Sequence, residues 1–219
     1  IVDLLPGQPL IEQTPELHAK VLGESMATIH ELDVNPIIES FRRAGVSDEL
    51  FLSPGIDQRS LDFCEQKIPW ASDLIGWLRD HLPLDGQDLA VIHGDYHGNN
   101  LMFENGSVSG VLDWAFRISD PASDLANTMN DYLVFVRQID PTTSSHFWEQ
   151  IVDGALKAYQ TIRPLNHMRI KAYRVFHLLG ALTLGAAAIG PEFMRKPESQ
   201  REYLALIEQT TGLTLSPSA

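Results

Sequence analysis

The stretch from Ala90 to Trp114 limits the fold more than any other part of the chain. It opens with the short apolar run Ala90-Val91-Ile92 and later sets Leu101-Met102-Phe103 and Val108 to Leu112 on either side of Glu104-Asn105-Gly106-Ser107. Asn-Gly between apolar runs is the strongest short-range hairpin signal. A two-residue loop at Asn105-Gly106 pairs Glu104 with Ser107 and sets Asn100 opposite Val111. Asp113 is then a diagonal neighbour of Asn100, roughly 7–8 Å away between backbones. Asp95 sits where the strand over 90–92 opens into a loop, a place where rigid supports carry active groups.

The run His93-Gly94-Asp95-Tyr96-His97-Gly98-Asn99-Asn100, the hairpin and Gly110-Val111-Leu112-Asp113-Trp114 together crowd acidic and amide groups into a small space. A carboxylate and an amide oxygen, from Asp113 and Asn100, suit a hard cation such as magnesium, which takes further ligands from substrate phosphates. Asp95 can accept the proton of a hydroxyl aimed at phosphorus. That combination describes phosphoryl transfer. A different chemistry is also open: His93, Asp95 and His97 form a His-x-Asp-x-His run that could hold a transition metal in a metallohydrolase. A third reading is a non-catalytic small-molecule binding module. Asn99 reads as a turn former.

The same residues resemble the catalytic and metal-binding loops of the aminoglycoside phosphotransferase and choline kinase-like family, distant relatives of protein kinases. The resemblance implies that Asp95 activates the acceptor hydroxyl, that Asn100 and Asp113 hold magnesium with the bound nucleotide, ATP or GTP, and that His93 organises the loop. Asp120-Pro121-Ala122-Ser123-Asp124-Leu125-Ala126 is similar to the segment that follows the metal-binding Asp in this family, which implies that Asp124 braces the catalytic loop. Ile1 to Gly7 resembles the hinge between the two lobes, and on that likeness the backbone of Val2, Asp3 and Leu4 contacts the adenine. The specific likeness covers 1–7, 23–32, 93–114 and 120–126.

What the resemblance implies for the fold is an α+β, mainly α, kinase-like C-terminal lobe with a small catalytic-loop hairpin. Residues 1–7 are then a remnant of the interlobe hinge and 8–219 the catalytic and acceptor-binding lobe. No Gly-x-Gly-x-x-Gly is present, so the N-terminal lobe is expected to be absent from this chain, and the 219 residues alone are expected to show no phosphotransfer. The implied function is a kinase acting on a hydroxyl of a small molecule. Macrolides, sugars and homoserine-like compounds are served by similar scaffolds. Acceptor contacts are expected from helices after Asp124, with Asp131, Tyr132 and Glu149 as candidates.

The formal charge of −13, from 16 basic against 29 acidic residues, argues against nucleic acid or an anionic membrane surface and favours an amine-bearing acceptor such as an aminoglycoside. The single cysteine, Cys64, excludes an internal disulfide and fits a reducing, cytoplasmic compartment. Thr14-Pro15-Glu16 carries cap, first-turn proline and dipole-matched acid, and predicts a helix running to Leu32 with His30 as a core or capping histidine. A second helix is predicted over 69–82, with Trp70, Leu74, Trp77 and Leu78 on one face and Pro83 as its stop. Asp120-Pro121 starts another, and helical spacing returns over 145–162, 166–188 and 199–209. The apolar stretch 175–190 is short for a membrane span of ~20 residues and reads as a buried helix. Residues 35–60, broken by Pro36, Gly45, Pro54 and Gly55, read as irregular.

Overall fold

The computed structural model describes residues 5–216 apart from 54, 85, 87 and 188–190. The hinge assignment to Val2, Asp3 and Leu4 lies outside the described residues. Helices dominate, with two small antiparallel sheets set among them, so the protein is α+β and mainly α.

The first helix, α1 (Pro15–His30), begins where the sequence places it: Thr14 caps it by accepting the Leu17 amide. It packs along α7 (Ser145–Gln160), whose own cap is Ser144. The two backbones come close at small residues. A Cβ added at Gly23 would collide with the Ala155 carbonyl oxygen, and one added at Gly154 would fall 2.7 Å from Ala19 Cβ. Because packed interiors absorb extra methyl groups poorly, Gly23→Val is expected to cost about 2–3 kcal/mol and lower the melting temperature by several degrees. An unchanged melting temperature would mean that the α1–α7 crossing relaxes freely.

Residues 35–60 are not irregular. They form α2 (Asn35–Arg43), a single turn of 3-10 helix at Asp48–Leu50, and the start of α3 (Gly55–Lys67). Three of the apparent breakers, Pro36, Gly45 and Gly55, sit at helix ends, where they do no harm, and Pro54 lies outside the described residues. Pro36 lies in the first turn of α2, where its missing N–H would have no partner, and the Asn35 amide donates to Asp33. Gly45, at φ +76°, follows the end of that helix, and Gly55 opens the next. Phe41 of α2 stacks on Phe51 at 4.7 Å, and a small core of Ile38, Phe51 and Ile118 results. The predicted helix over 69–82 is a 3-10 turn, Pro69–Ala71, leading into α4 (Ser72–His81), with Leu74 and Leu78 buried and both tryptophans half-buried.

One sheet pairs β2 (Ala90–Ile92) with β5 (Arg117–Ser119). The other runs β1 (Gln8–Pro9), β3 (Leu101–Glu104), β4 (Ser107–Val111), with β3 central. Asn105 and Gly106 take φ of +50° and +87°, the tight mirror-image turn that Asn-Gly favours. Glu104 pairs with Ser107 as predicted, but the register slips at a bulge: Phe103 faces Val108, whereas Met102 faces Gly110 and Leu101 faces Val111. Asn100 therefore meets Leu112, whose amide donates to its carbonyl at 2.8 Å, and not Val111. The bulge lies where Ser109 donates its hydroxyl to the Pro6 carbonyl and Leu5 covers Gly110.

The helix announced by Asp120-Pro121 is α5 (Ala122–Asn130), with the Ala122 amide donating to the Asp120 carboxylate. It continues through a wider π turn, Asp131–Phe135, into α6 (Val136–Ile139). It packs on the long helix α8 (His167–Ala186), which is followed by α9 (Glu192–Arg195) and α10 (Pro197–Thr211). Among the described residues no helix is long and apolar enough to cross a membrane.

Candidate active site

Everything at the site hangs from one buried carboxylate. Asp124, on the first turn of α5, accepts the His93 amide at 2.7 Å on one oxygen and the Gly94 amide at 2.7 Å on the other. His30 Nε2, from the end of α1, approaches the first oxygen at 3.2 Å, and His30 Nδ1 meets the Tyr159 hydroxyl of α7 at 2.9 Å. Burial alone would push this carboxyl up, but the His30 contact and the two amides outweigh it and hold the group below its ordinary value. A loop, two helices and a strand end thus converge on a charge kept ionised by hydrogen bonds.

His93 carries that order to the hairpin. Its Nε2 reaches the Leu112 carbonyl at 2.8 Å, and the Asp95 amide donates to its Nδ1 at 3.1 Å. A carbonyl can only accept and an amide can only donate, so the ring carries its proton on Nε2. Trp114 lies against the same ring, 4.7 Å between centroids. Both nitrogens of His93 are spent on backbone groups, which leaves none for a metal, and the described residues contain no cluster of three or more His, Cys, Asp or Glu able to hold one. The His93, Asp95, His97 metallohydrolase finds no support in this arrangement.

Asp95 is the third residue after β2 and is 43% exposed in its side chain. His97 stands 3.5 Å from its carboxylate, and Asn100 Nδ2 donates to the Asp95 carbonyl at 2.9 Å and lies 3.3 Å from its carboxylate. The His97 contact is the largest influence lowering the Asp95 pKa, partial burial opposes it, and Asn100 and His93 reinforce it. Burial disfavours the His97 cation, yet Asp95, Asp131 and Asp113 together hold its pKa above the ordinary value. With its amide nitrogen turned back on Asp95, Asn100 has its oxygen left to bind elsewhere. Asp113 comes directly after Leu112, is exposed, and takes φ +57°, a backbone state that costs a non-glycine residue of order 1 kcal/mol and recurs at functional sites. The bulge, and not the simple register, sets how Asn100 and Asp113 are related.

Beside Asp95 lies a cavity of about 480 Å³. His97, Asn99, Asn127 and Asp131 supply its other polar lining, and its walls come from Ile11, Tyr132, the helix over 135–139 and residues 191–194. Among the described residues no lysine or arginine lines it. Asn127 bridges Gly94 and Asp131, donating to the carbonyl of one at 3.1 Å and lying 3.3 Å from the carboxylate of the other. Burial first, and the Asp95 charge second, raise the Asp131 pKa to about 7. Tyr132 has its hydroxyl committed: it accepts the Gly98 amide at 2.8 Å and meets His18 Nε2 at 2.7 Å. Burial holds His18 neutral, at about 4. Glu149 is exposed on α7 near His146 and does not line the cavity.

The sequence reading passes over His18 and Asn127 and takes His30 as a core or capping histidine, whereas His30 contacts the Asp124 carboxylate. Asn127 carried a usable signal: Asp124, Asn127 and Asp131 recur at i, i+3 and i+7, one helical face. The apolar walls carried none, because they come from separate helices brought together only by packing.

A model of the phosphotransferase enzyme family matches residues 1–165. The chain belongs to that family. It is 24% identical over 223 aligned positions to a homoserine kinase of Methylobacterium radiotolerans, with 93% of the chain and 63% of that kinase covered. Ethanolamine kinase of Plasmodium vivax has a similar fold, with a TM-score of 0.57 at 12% identity over 96% of the chain and 62% of that structure. A macrolide 2'-phosphotransferase of Brachybacterium faecium gives 0.50 at 21% identity, covering 93% and 67%. The chain spans less than two thirds of the length of the curated relatives it matches.

Proposed function

We propose that this chain carries the catalytic and acceptor-binding part of a kinase that moves the γ-phosphoryl group of ATP or GTP to a hydroxyl of a small, amine-bearing molecule. The observation that carries the reading is the Asp95 carboxylate standing at a cavity large enough for a small molecule, on a loop fixed from behind by Asp124. On this reading Asp95 orients the acceptor hydroxyl and takes its proton. A carboxylate held low is a weak base, but phosphoryl transfer through a loose transition state asks more for positioning than for basicity. Asn100 and Asp113 would hold magnesium, since an amide oxygen and a carboxylate are the hard donors that ion takes. Bound there, the ion would neutralise charge on the transferring phosphate. His93 and Asp124 keep the loop in place. The share of each relative that the chain spans supports assigning it the lobe of a two-lobe kinase that bears these loops.

The acceptor reading rests on charge. Asp95 and Asp131 face a cavity that no lysine or arginine among the described residues lines, and its one histidine, His97, is paired with Asp95; this suits an alcohol carrying a protonated amine and leaves an acceptor carboxylate such as that of homoserine without a free counter-charge. Below pH 7 Asp131 is mostly protonated; above it the carboxylate is present to pair with the amine. Acceptor KM is therefore expected to fall as pH rises through about 7, and Asp131→Asn should flatten that dependence with kcat less affected. The assay is phosphorylated-acceptor formation from labelled nucleotide across a panel of amino alcohols and their neutral analogues. Transfer that ignores the amine, or a KM independent of pH in the wild type, would remove Asp131 from the acceptor site. Phosphoester cleavage without nucleotide would remove the kinase reading altogether.

A further inference from the structure

A second groove lies between α8 and the end of α10 and shares no lining residue with the cavity at Asp95. Its volume is about 410 Å³. His167, Lys171 and Arg174 follow one another at i, i+4 and i+7, a single stripe of α8, while Met129, Ile170 and Leu206 give the groove an apolar side. Three groups able to carry positive charge thus converge in a chain with far more acid than base.

Arg174 is the decisive group. It is half-buried, and its Nε donates to the Asn130 side-chain oxygen at 3.0 Å. Asn130 in turn donates to the Arg174 carbonyl at 3.0 Å, which fixes the arginine on α5. No carboxylate among the described residues pairs with it, and burial alone pushes its pKa down. Arg79, Arg163 and Arg169, which are also partly shielded, each engage two carboxylates. A guanidinium withdrawn from water without an anion is unfavourable, and its fork of donors matches a carboxylate or phosphate in two-point contact.

We propose that this groove is a binding site for an anionic ligand with an apolar body, its carboxylate or phosphate on Arg174 and Lys171 and its body along Ile170 and Leu206. The test is calorimetric titration of the 219-residue chain with phenyl phosphate, phenylacetate, inorganic phosphate and benzyl alcohol. At least one of the two aromatic anions is expected to bind, more tightly than inorganic phosphate, and the neutral alcohol is expected not to. Which anion wins distinguishes a phosphate ester from a carboxylate as the natural partner. Arg174→Gln should weaken binding by at least about tenfold, the loss expected for a charge-assisted contact. Because that change also disturbs Asn130, Lys171→Gln on the exposed rim provides the independent check: weaker binding at an unchanged melting temperature. Failure of both aromatic anions to bind, or affinity untouched by both variants, would overturn the proposal.

Discussion

Asp95→Asn is expected to lower turnover by more than about 100-fold, the lower end for loss of a positioned general base, in any preparation that phosphorylates an acceptor. The substitution is nearly isosteric. It keeps the carbonyl oxygen near His97 and leaves untouched the bond from the Asn100 side-chain amide to the Asp95 backbone carbonyl, so loop geometry and nucleotide affinity should change little. What disappears is the negative oxygen that can hold and deprotonate a hydroxyl at the mouth of the cavity. The effect should therefore appear in kcat, with KM for the nucleotide nearly constant. Comparable turnover in wild type and variant would take Asp95 out of the proposed role, and a rise in nucleotide KM of the same size would recast it as a binding residue.

How much of this was legible in advance depends on how local the cause is. Thr14, Ser107 and the Asn105-Gly106 turn act on their immediate neighbours, and the sequence locates α1 and the hairpin tip accurately. The bulge at Ser109 was not legible, because it depends on Pro6 and Leu5 arriving from about a hundred residues away. Pro36, Gly45 and Gly55 misled for the opposite reason: each is a breaker inside a helix and harmless at its end, and only packing of Phe41 on Phe51 shows which case holds. At the site, the spacing within 93–113 picks out Asp95, Asn100 and Asp113. The cavity that gives Asp95 something to act on is built by residues 127–139 and 191–194, whose convergence no spacing rule contains.

Asp124→Ala is expected to be the most damaging single change to fold and site together. An isolated buried carboxylate costs several kcal/mol in lost hydration, and hydrogen bonds to a charged acceptor return about 1.5–3 kcal/mol each. The bonds from the His93 amide, the Gly94 amide and His30 bring that account close to balance, so the intact cluster adds little net stability. Removing the carboxylate is another matter, because it strands a buried amide, a part-buried amide and a histidine nitrogen at once. We expect a loss of about 3–5 kcal/mol and, at temperatures where the variant stays folded, turnover reduced by a larger factor than the folded fraction accounts for. The excess arises because the freed amides are those of His93 and Gly94, the two residues leading into Asp95, and because His93 also ties Asp95 to Leu112 beside Asp113. Asp124→Asn separates the two effects: it retains an acceptor for one amide and turns a donor toward the other. It should fall between wild type and Ala in stability, yet remain poor in turnover. A variant that melts early but works normally when cold would show that Asp124 serves the core alone and does not position the loop.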